Sequence, residues 1–127
     1  MSVAERQRAP QRVLIVDDDV ELAQSLARMI EAAGTYETRM VHSAADALAV
    51  AVEFPPVIVF LDIELPDMSG YEVAERIRHE AWGKSVILIA LTGWGQESDR
   101  RHALASGFNH HLIKPVDPDA LEELFSA

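Results

Sequence analysis

The chain has 127 residues and a hydrophobic fraction of 49%, which suits one compact domain with its own core and argues against intrinsic disorder. Its 21 acidic against 11 basic residues give a formal charge of −10, which disfavours nonspecific contact with nucleic acid or anionic membrane and favours metal ions or a basic partner surface. Cysteine is absent, which excludes a disulfide framework and any thiolate metal site and fits a reducing cytosol.

The first stretch, Met1 to Gln11, is polar, carries Arg6 and Arg8, and has no apolar core of the kind a secretory signal needs. It reads as a tail, with a single domain expected over 12–127. Apolar runs such as Val57–Leu61 and Val86–Leu91 are far too short to span a bilayer, so no membrane insertion is expected. No repeat or low-complexity tract interrupts the chain.

Val13–Val16 reads as a buried strand, because an unbroken apolar run would expose side chains on any half-buried face. Leu22, Leu26, Met29, Ile30 and Ala33 then recur at helical spacing, with Gly34 as a stop. Tyr36–Val41 mixes polar and apolar residues, as an edge strand does. Ser43 with Asp46 resembles a capping box opening a second helix through Leu48 and Val52. Val57–Leu61 is a second apolar strand. Pro66 and Gly70 mark a loop before a helix begun by Tyr71, Val73, Ala74 and Ile77. Val86–Leu91 is a third apolar strand, followed by a weaker helix from Asp99 to Ser106 capped by Gly107. Leu112 and Ile113 form a short strand, and Asp117 with Pro118 opens the last helix through Leu121, Leu124 and Phe125. This alternation predicts an α/β fold, a doubly wound, flavodoxin-like sheet of five parallel strands in the order 2-1-3-4-5 with five helices on its two faces. The three most apolar strands then take the centre.

The polar residues that stand out follow those apolar runs directly. Asp17, Asp18 and Asp19 follow Val16, Asp62 follows Leu61, Thr92 follows Leu91, and Lys114 follows Ile113. In a parallel sheet all of these fall on the carboxyl edge, and the first and third strands are neighbours at the switch point where ligands bind. One Asp after Val16 is explained by helix capping, Asp62 alone by a turn, Thr92-Gly93 by a strand exit, and Lys114 by a solvated edge. Those readings do not account for carboxylates, hydroxyl and ammonium sharing one edge. Crowded carboxylates oppose one another's ionisation, and a divalent cation relieves that penalty. Oxygen ligands without His or Cys suit Mg²⁺. A carboxylate is also a competent nucleophile toward phosphorus, and phosphoryl transfer asks mainly for alignment and charge neutralisation.

These residues, over roughly 12 to 125, resemble the receiver domains of two-component response regulators. The resemblance rests on Val13 to Asp18, Val57 to Gly70, Ala90-Leu91-Thr92-Gly93 and Leu112-Ile113-Lys114-Pro115. It implies that Asp17 and Asp18 are the acidic pair that holds Mg²⁺. It makes Asp62 the phospho-acceptor, with the Glu64 backbone carbonyl as a further metal ligand. It gives Thr92 the role of switch hydroxyl and Lys114 that of the lysine that pairs with the phosphoryl group, with a cis Lys114–Pro115 peptide. It implies phosphate supplied by a histidine kinase or histidine phosphotransfer protein, a cytoplasmic setting, and output through a downstream protein target. The stretch from Ala90 to Asp117 is most similar to receivers attached to hybrid histidine kinases. Three departures stand out. His111 occupies the position where the family often has the aromatic switch residue, Gly93 follows the switch hydroxyl where Ala is common, and Trp94 and Glu64 are uncommon at positions that tune phosphoryl lifetime.

Three other readings compete. A receiver-like docking module that never carries phosphate would not need the complete set of Asp17, Asp18, Asp62, Thr92 and Lys114. A haloacid-dehalogenase-type phosphatase would use Asp17 and Asp19, but Val20 and Glu21 follow where a Thr is usual, and the chain has no room for a cap domain. Zinc binding through His102, His110 and His111 meets the objection that adjacent strand residues face opposite ways. No DNA-binding segment follows Ala127, so direct nucleic-acid contact is not expected, and either protein–protein contact carries the output or the chain is a fragment of a longer one.

Overall fold

The computed structural model describes residues 10–93 and 97–126; the polar tail as far as Ala9, and Trp94, lie outside them. Five parallel strands, β1 (Gln11–Val16), β2 (Tyr36–Val41), β3 (Ile58–Asp62), β4 (Ile87–Thr92) and β5 (His110–Ile113), form one sheet in the order β2-β1-β3-β4-β5. They alternate with α1 (Val20–Ala33), α2 (Ala44–Glu53), α3 (Gly70–His79), α4 (Glu97–Ala105) and α5 (Pro118–Ser126), and a single 3₁₀ turn, Ala81–Gly83, follows α3. The order and element count are those expected from the sequence. The bounds differ slightly: β1 takes in the exposed Gln11 and Arg12, which pair with Tyr36 and Glu37, and Asp62 and Thr92 are the last residues of their strands.

Alternate strand residues feed two separate cores, as the period of two requires. Val13, Ile15, Ile58, Phe60, Ile89, Leu91 and Leu112 pack under α1 and α5, while Leu14, Val16, Val59, Leu61, Leu88 and Ala90 pack under α2, α3 and α4. β2 carries only one buried residue, Val41, so it can stand at an edge.

The far end of the β4–β5 region is held by one side chain. The Arg78 guanidinium donates to the carbonyls of Gly107 (2.7 and 3.0 Å), Val86 (2.7 Å) and Gly83 (2.9 Å) and to Asn109 Oδ1 (2.7 Å). A planar fork of donors is what so many divergent acceptors require, and an ammonium cannot span them. Gly107 closes α4 with φ +106°, a conformation that side chains with a Cβ rarely adopt.

Candidate functional site

The site begins with the sheet register. Val16 lies opposite Leu61, so the next residues, Asp17 and Asp62, stand side by side at the carboxyl edge. Asp19 serves as N-cap of α1, its Oδ1 accepting from Leu22 N at 3.1 Å. That engagement leaves Asp17 and Asp18 to the cleft and speaks against Asp19 as the acid of a phosphatase. Asp17 is wholly buried, Asp62 is 2% exposed, and Asp18 faces solvent. One carboxylate oxygen from each of the three lies within 4.8 Å of the others, and this is the group of metal-ligating side chains found among the described residues. The three histidines of the zinc alternative do not join such a group; His110 is exposed and His111 half-buried, as opposite faces of a strand require.

Lys114 sits between the buried acids. Its Nζ is 2.9 Å from Asp17 Oδ2 and 3.0 Å from Asp62 Oδ2, so it pairs with both. The backbone brings it there: Lys114 N donates to Thr92 O at 2.8 Å, and the Lys114–Pro115 peptide is cis, as the family resemblance implied. Burial works against the ammonium, yet bonding to Asp17 and Asp62 and their negative charge more than offset it, and the Lys114 pKa is raised.

Asp62 shows the opposite balance. Burial pushes its carboxyl from the ordinary 3.8 up to about 6, against the pull of the Glu64 N–H (2.9 Å to Oδ1) and of Lys114, with the Asp17 charge adding to the rise. Asp17 Oδ2 is buried and finds no well-directed hydrogen bond among the described residues, only the ammonium's charge. A buried, under-satisfied carboxylate oxygen beside two further acids fits a hard divalent cation, which prefers an all-oxygen ligand set.

Thr92 ends β4 next to this cluster and is 4% exposed. Its side chain lines a small cavity together with Ile63, Tyr71, Ala90, Arg100, Ala103 and His111. His111, opposite Ala90 in the register, therefore shares a space with the Thr92 side chain. Burial lowers its pKa, and the Arg100 charge lowers it further.

Sequence reasoning passed over several contributors. Tyr71, read only as an apolar helix position, lines the same cavity and stacks on His102 with centroids 3.6 Å apart. His42 Nδ1 lies 2.8 Å from Asp17 O; since a carbonyl only accepts, Nδ1 carries the proton. Asp67, inside a stretch read as a plain loop, accepts from Ala44 N and Ala45 N. These contacts join residues more than twenty positions apart, a separation that no local pattern announces.

The double pairing of Lys114 predicts a metal-dependent mutational cost. Lys114→Ala leaves two buried carboxylates uncompensated, and the loss of stability at pH 7.5 should be roughly 1–3 kcal/mol, limited because Asp62 can take up a proton instead. The deficit should shrink as pH falls below about 6, where Asp62 is protonated in the native state, and should shrink on adding Mg²⁺. Urea unfolding of both proteins, with Mg²⁺ and with chelator, measures it; an equal deficit under all conditions would contradict the pairing.

Comparison with known proteins places this geometry. The profile of the response regulator receiver domain matches residues 13–126. The chain is 39% identical over 106 residues to a 14.6 kDa protein of the sodA1 3′ region of Leptolyngbya boryana, covering 84% of this chain and 80% of that one. It is 30% identical to the response regulator Rre1 of Synechocystis, covering 91% of this chain but only 50% of that protein. The crystal structure of the receiver domain of sensor histidine kinase PA1611 from Pseudomonas aeruginosa superposes with a TM-score of 0.81 at 28% identity, over 93% of this chain and 96% of that one. Its active-site cleft coordinates a magnesium ion. With a family match that spans nearly every described residue, the chain belongs to the response regulator receiver domain family.

Proposed function

We propose that this chain accepts a phosphoryl group on Asp62 from a phosphohistidine of a histidine kinase or a histidine phosphotransfer protein, in a reaction assisted by Mg²⁺. The observation that carries the reading is a nearly buried carboxylate flanked by two further acids and an ammonium 3.0 Å away. An Asp62 oxygen attacks phosphorus, the P–N bond breaks, and the electron pair leaves with the donor imidazole, which takes up a proton. Asp17, Asp18, Asp62 and the Glu64 carbonyl would hold the metal, which when bound neutralises charge on the phosphoryl oxygens. Lys114 would move from its carboxylate partners to the phosphoryl group, and Thr92 would donate its hydroxyl to it.

The setting is cytosolic and the output is a protein contact. A formal charge of −10 favours a basic partner surface over nucleic acid. The chain spans about half the length of Rre1. The solved relative from a sensor kinase accords with the likeness to hybrid-kinase receivers, although Rre1 is a response regulator.

His111 would carry the switch. As Thr92 turns toward phosphorylated Asp62, the His111 ring would advance into the space it leaves, which favours the neutral imidazole. The sign follows from a folded pKa below the ordinary 6.5: the unfolded chain binds the proton first, so His111 contributes stability above that pH and loses it as pH falls.

Two tests follow. Intact mass after treatment with a small phosphodonor and Mg²⁺ should show a single phosphoryl adduct, absent in Asp62→Asn and absent with excess chelator; an adduct mapped to Asp17 or Asp18 would sink the assignment. For His111, in saturating Mg²⁺ so that Asp62 does not titrate in the window, phosphorylation-induced shifts of the amides flanking Thr92 should weaken between pH 7.5 and 5.5 in the wild type and stay constant in His111→Phe. Equal pH dependence in both proteins would make His111 a bystander.

A further inference from the structure

The loop that leaves Asp62 is a closed hairpin. Gly70 N donates to Ile63 O at 2.9 Å, Glu64 and Ser69 form an antiparallel bridge, and Glu64 N donates to Asp62 Oδ1 at 2.9 Å. Gly70 allows the closure: a Cβ there would stand 2.5 Å from Asp62 O and 2.4 Å from Ile63 Cα. At the tip of the hairpin, Asp67 reaches the start of α2, where Oδ1 accepts from Ala44 N at 2.9 Å and Oδ2 from Ala45 N at 3.0 Å.

Helix α2 already has a local cap, because Ser43 Oγ accepts from Asp46 N at 3.1 Å. Of its first two amides, that of Ala45 lies on an exposed residue where water would satisfy it, whereas Ala44 is fully buried and its amide needs a protein acceptor. A single carboxylate that spans both amides from a loop more than twenty residues away therefore ties that loop to the helix as well as capping it. The same junction also touches the other half of the site, since His42 holds Asp17 O at 2.8 Å and Asp17 N donates to Val41 O at 3.1 Å. Residues 41–45 thus join two loops: the one bearing Asp17 and Asp18, and the one bearing Asp62 and Glu64.

We propose that Asp67 is a positioning residue, a strut that clamps the Asp62–Gly70 hairpin to the start of α2 and so holds the Glu64 carbonyl and the acid pair at the spacing the metal needs. This rests on reading the site as a Mg²⁺-assisted acceptor. Groups that orient ligands from outside the coordination sphere commonly control metal affinity. The carboxylate suits the task, being favoured at a helix N-terminus and held below the usual carboxylate pKa by the Ala44 and Ala45 amides, so it stays charged. Met68 and Leu65 seat the rest of the hairpin on the core beneath α2 and α3.

The test separates strut from cap by comparing Asp67→Ala with Ser43→Ala, since both remove a cap from α2 but only the first releases the hairpin. Both should lower the unfolding temperature. Mg²⁺ binding followed by calorimetry should weaken about 5- to 10-fold in Asp67→Ala and stay within about 2-fold of wild type in Ser43→Ala. Asp67→Asn, which keeps one acceptor oxygen, should fall between. In metal-free protein, hydrogen exchange at the Glu64 and Gly70 amides should accelerate about 10-fold or more in Asp67→Ala and not in Ser43→Ala. Unchanged exchange at those amides, or equal Mg²⁺ affinity in the two alanine variants, would reduce Asp67 to a helix cap. If wild type binds no Mg²⁺, the metal reading fails, and the exchange data alone still decide whether the strut exists.

Discussion

The site depends on a single ammonium shared between two buried carboxylates. Lys114 lets Asp17 and Asp62 fold against each other as anions, because either charge alone would cost several kcal/mol to bury and the pair would add mutual repulsion. The compensation is incomplete. One cation serves two buried anions, Asp18 adds a third acid at the rim, and Asp62 keeps a pKa near 6 despite its partners. What remains is a site with surplus negative charge, open on the side of Asp18. In the proposed function a divalent cation would supply what the lysine cannot, leaving the lysine for a further anion.

The rest of the fold sets the geometry of that arrangement. A parallel sheet in the order β2-β1-β3-β4-β5 aligns the ends of β1, β3, β4 and β5, and the register Val16–Leu61 and Thr92–Ile113 places the functional residues within one step of each other. Two cores press on the strands from opposite faces, so their ends cannot slide without moving buried Val, Ile, Leu and Phe side chains. The polar ties lie in the loops. Asp19 caps α1, Ser43 and Asp67 cap α2, and Asp117 accepts from Asp119 N at 2.9 Å to open α5, so these three loops are fastened where a helix begins.

The sheet was legible because its strands are short apolar runs separated by amphipathic stretches, a pattern that period and length settle together. Asp17, Asp18, Asp62, Thr92 and Lys114 were legible for a related reason: each directly follows or ends an apolar run, and topology alone carries such residues to one edge. The Gln11 and Arg12 ends of β1 were not, because exposed strand residues need no hydrophobic signal and are held by backbone pairing with β2. Nor were Asp67, His42, Tyr71 and Arg78. Each acts through a contact to a distant backbone atom or ring, and the sequence shows only an ordinary loop, surface or helix residue there. Lys114 illustrates the boundary: its proximity to the cleft could be read, but its division between two carboxylates could not.

The chemistry of the cleft hinges on Asp62 being buried among like charges that Lys114 only partly offsets. The most direct measurement is a titration of the Asp62 carboxyl carbon by NMR in metal-free protein and again with saturating Mg²⁺. A folded pKa raised above the ordinary 3.8 means that the native state keeps its proton longer than the unfolded chain, so ionising Asp62 costs stability as pH rises through that window. The metal-free midpoint should fall near pH 6, and Mg²⁺ should drive it below 3.8. A metal-free midpoint at or below 3.8, or one that Mg²⁺ leaves in place, would contradict the account.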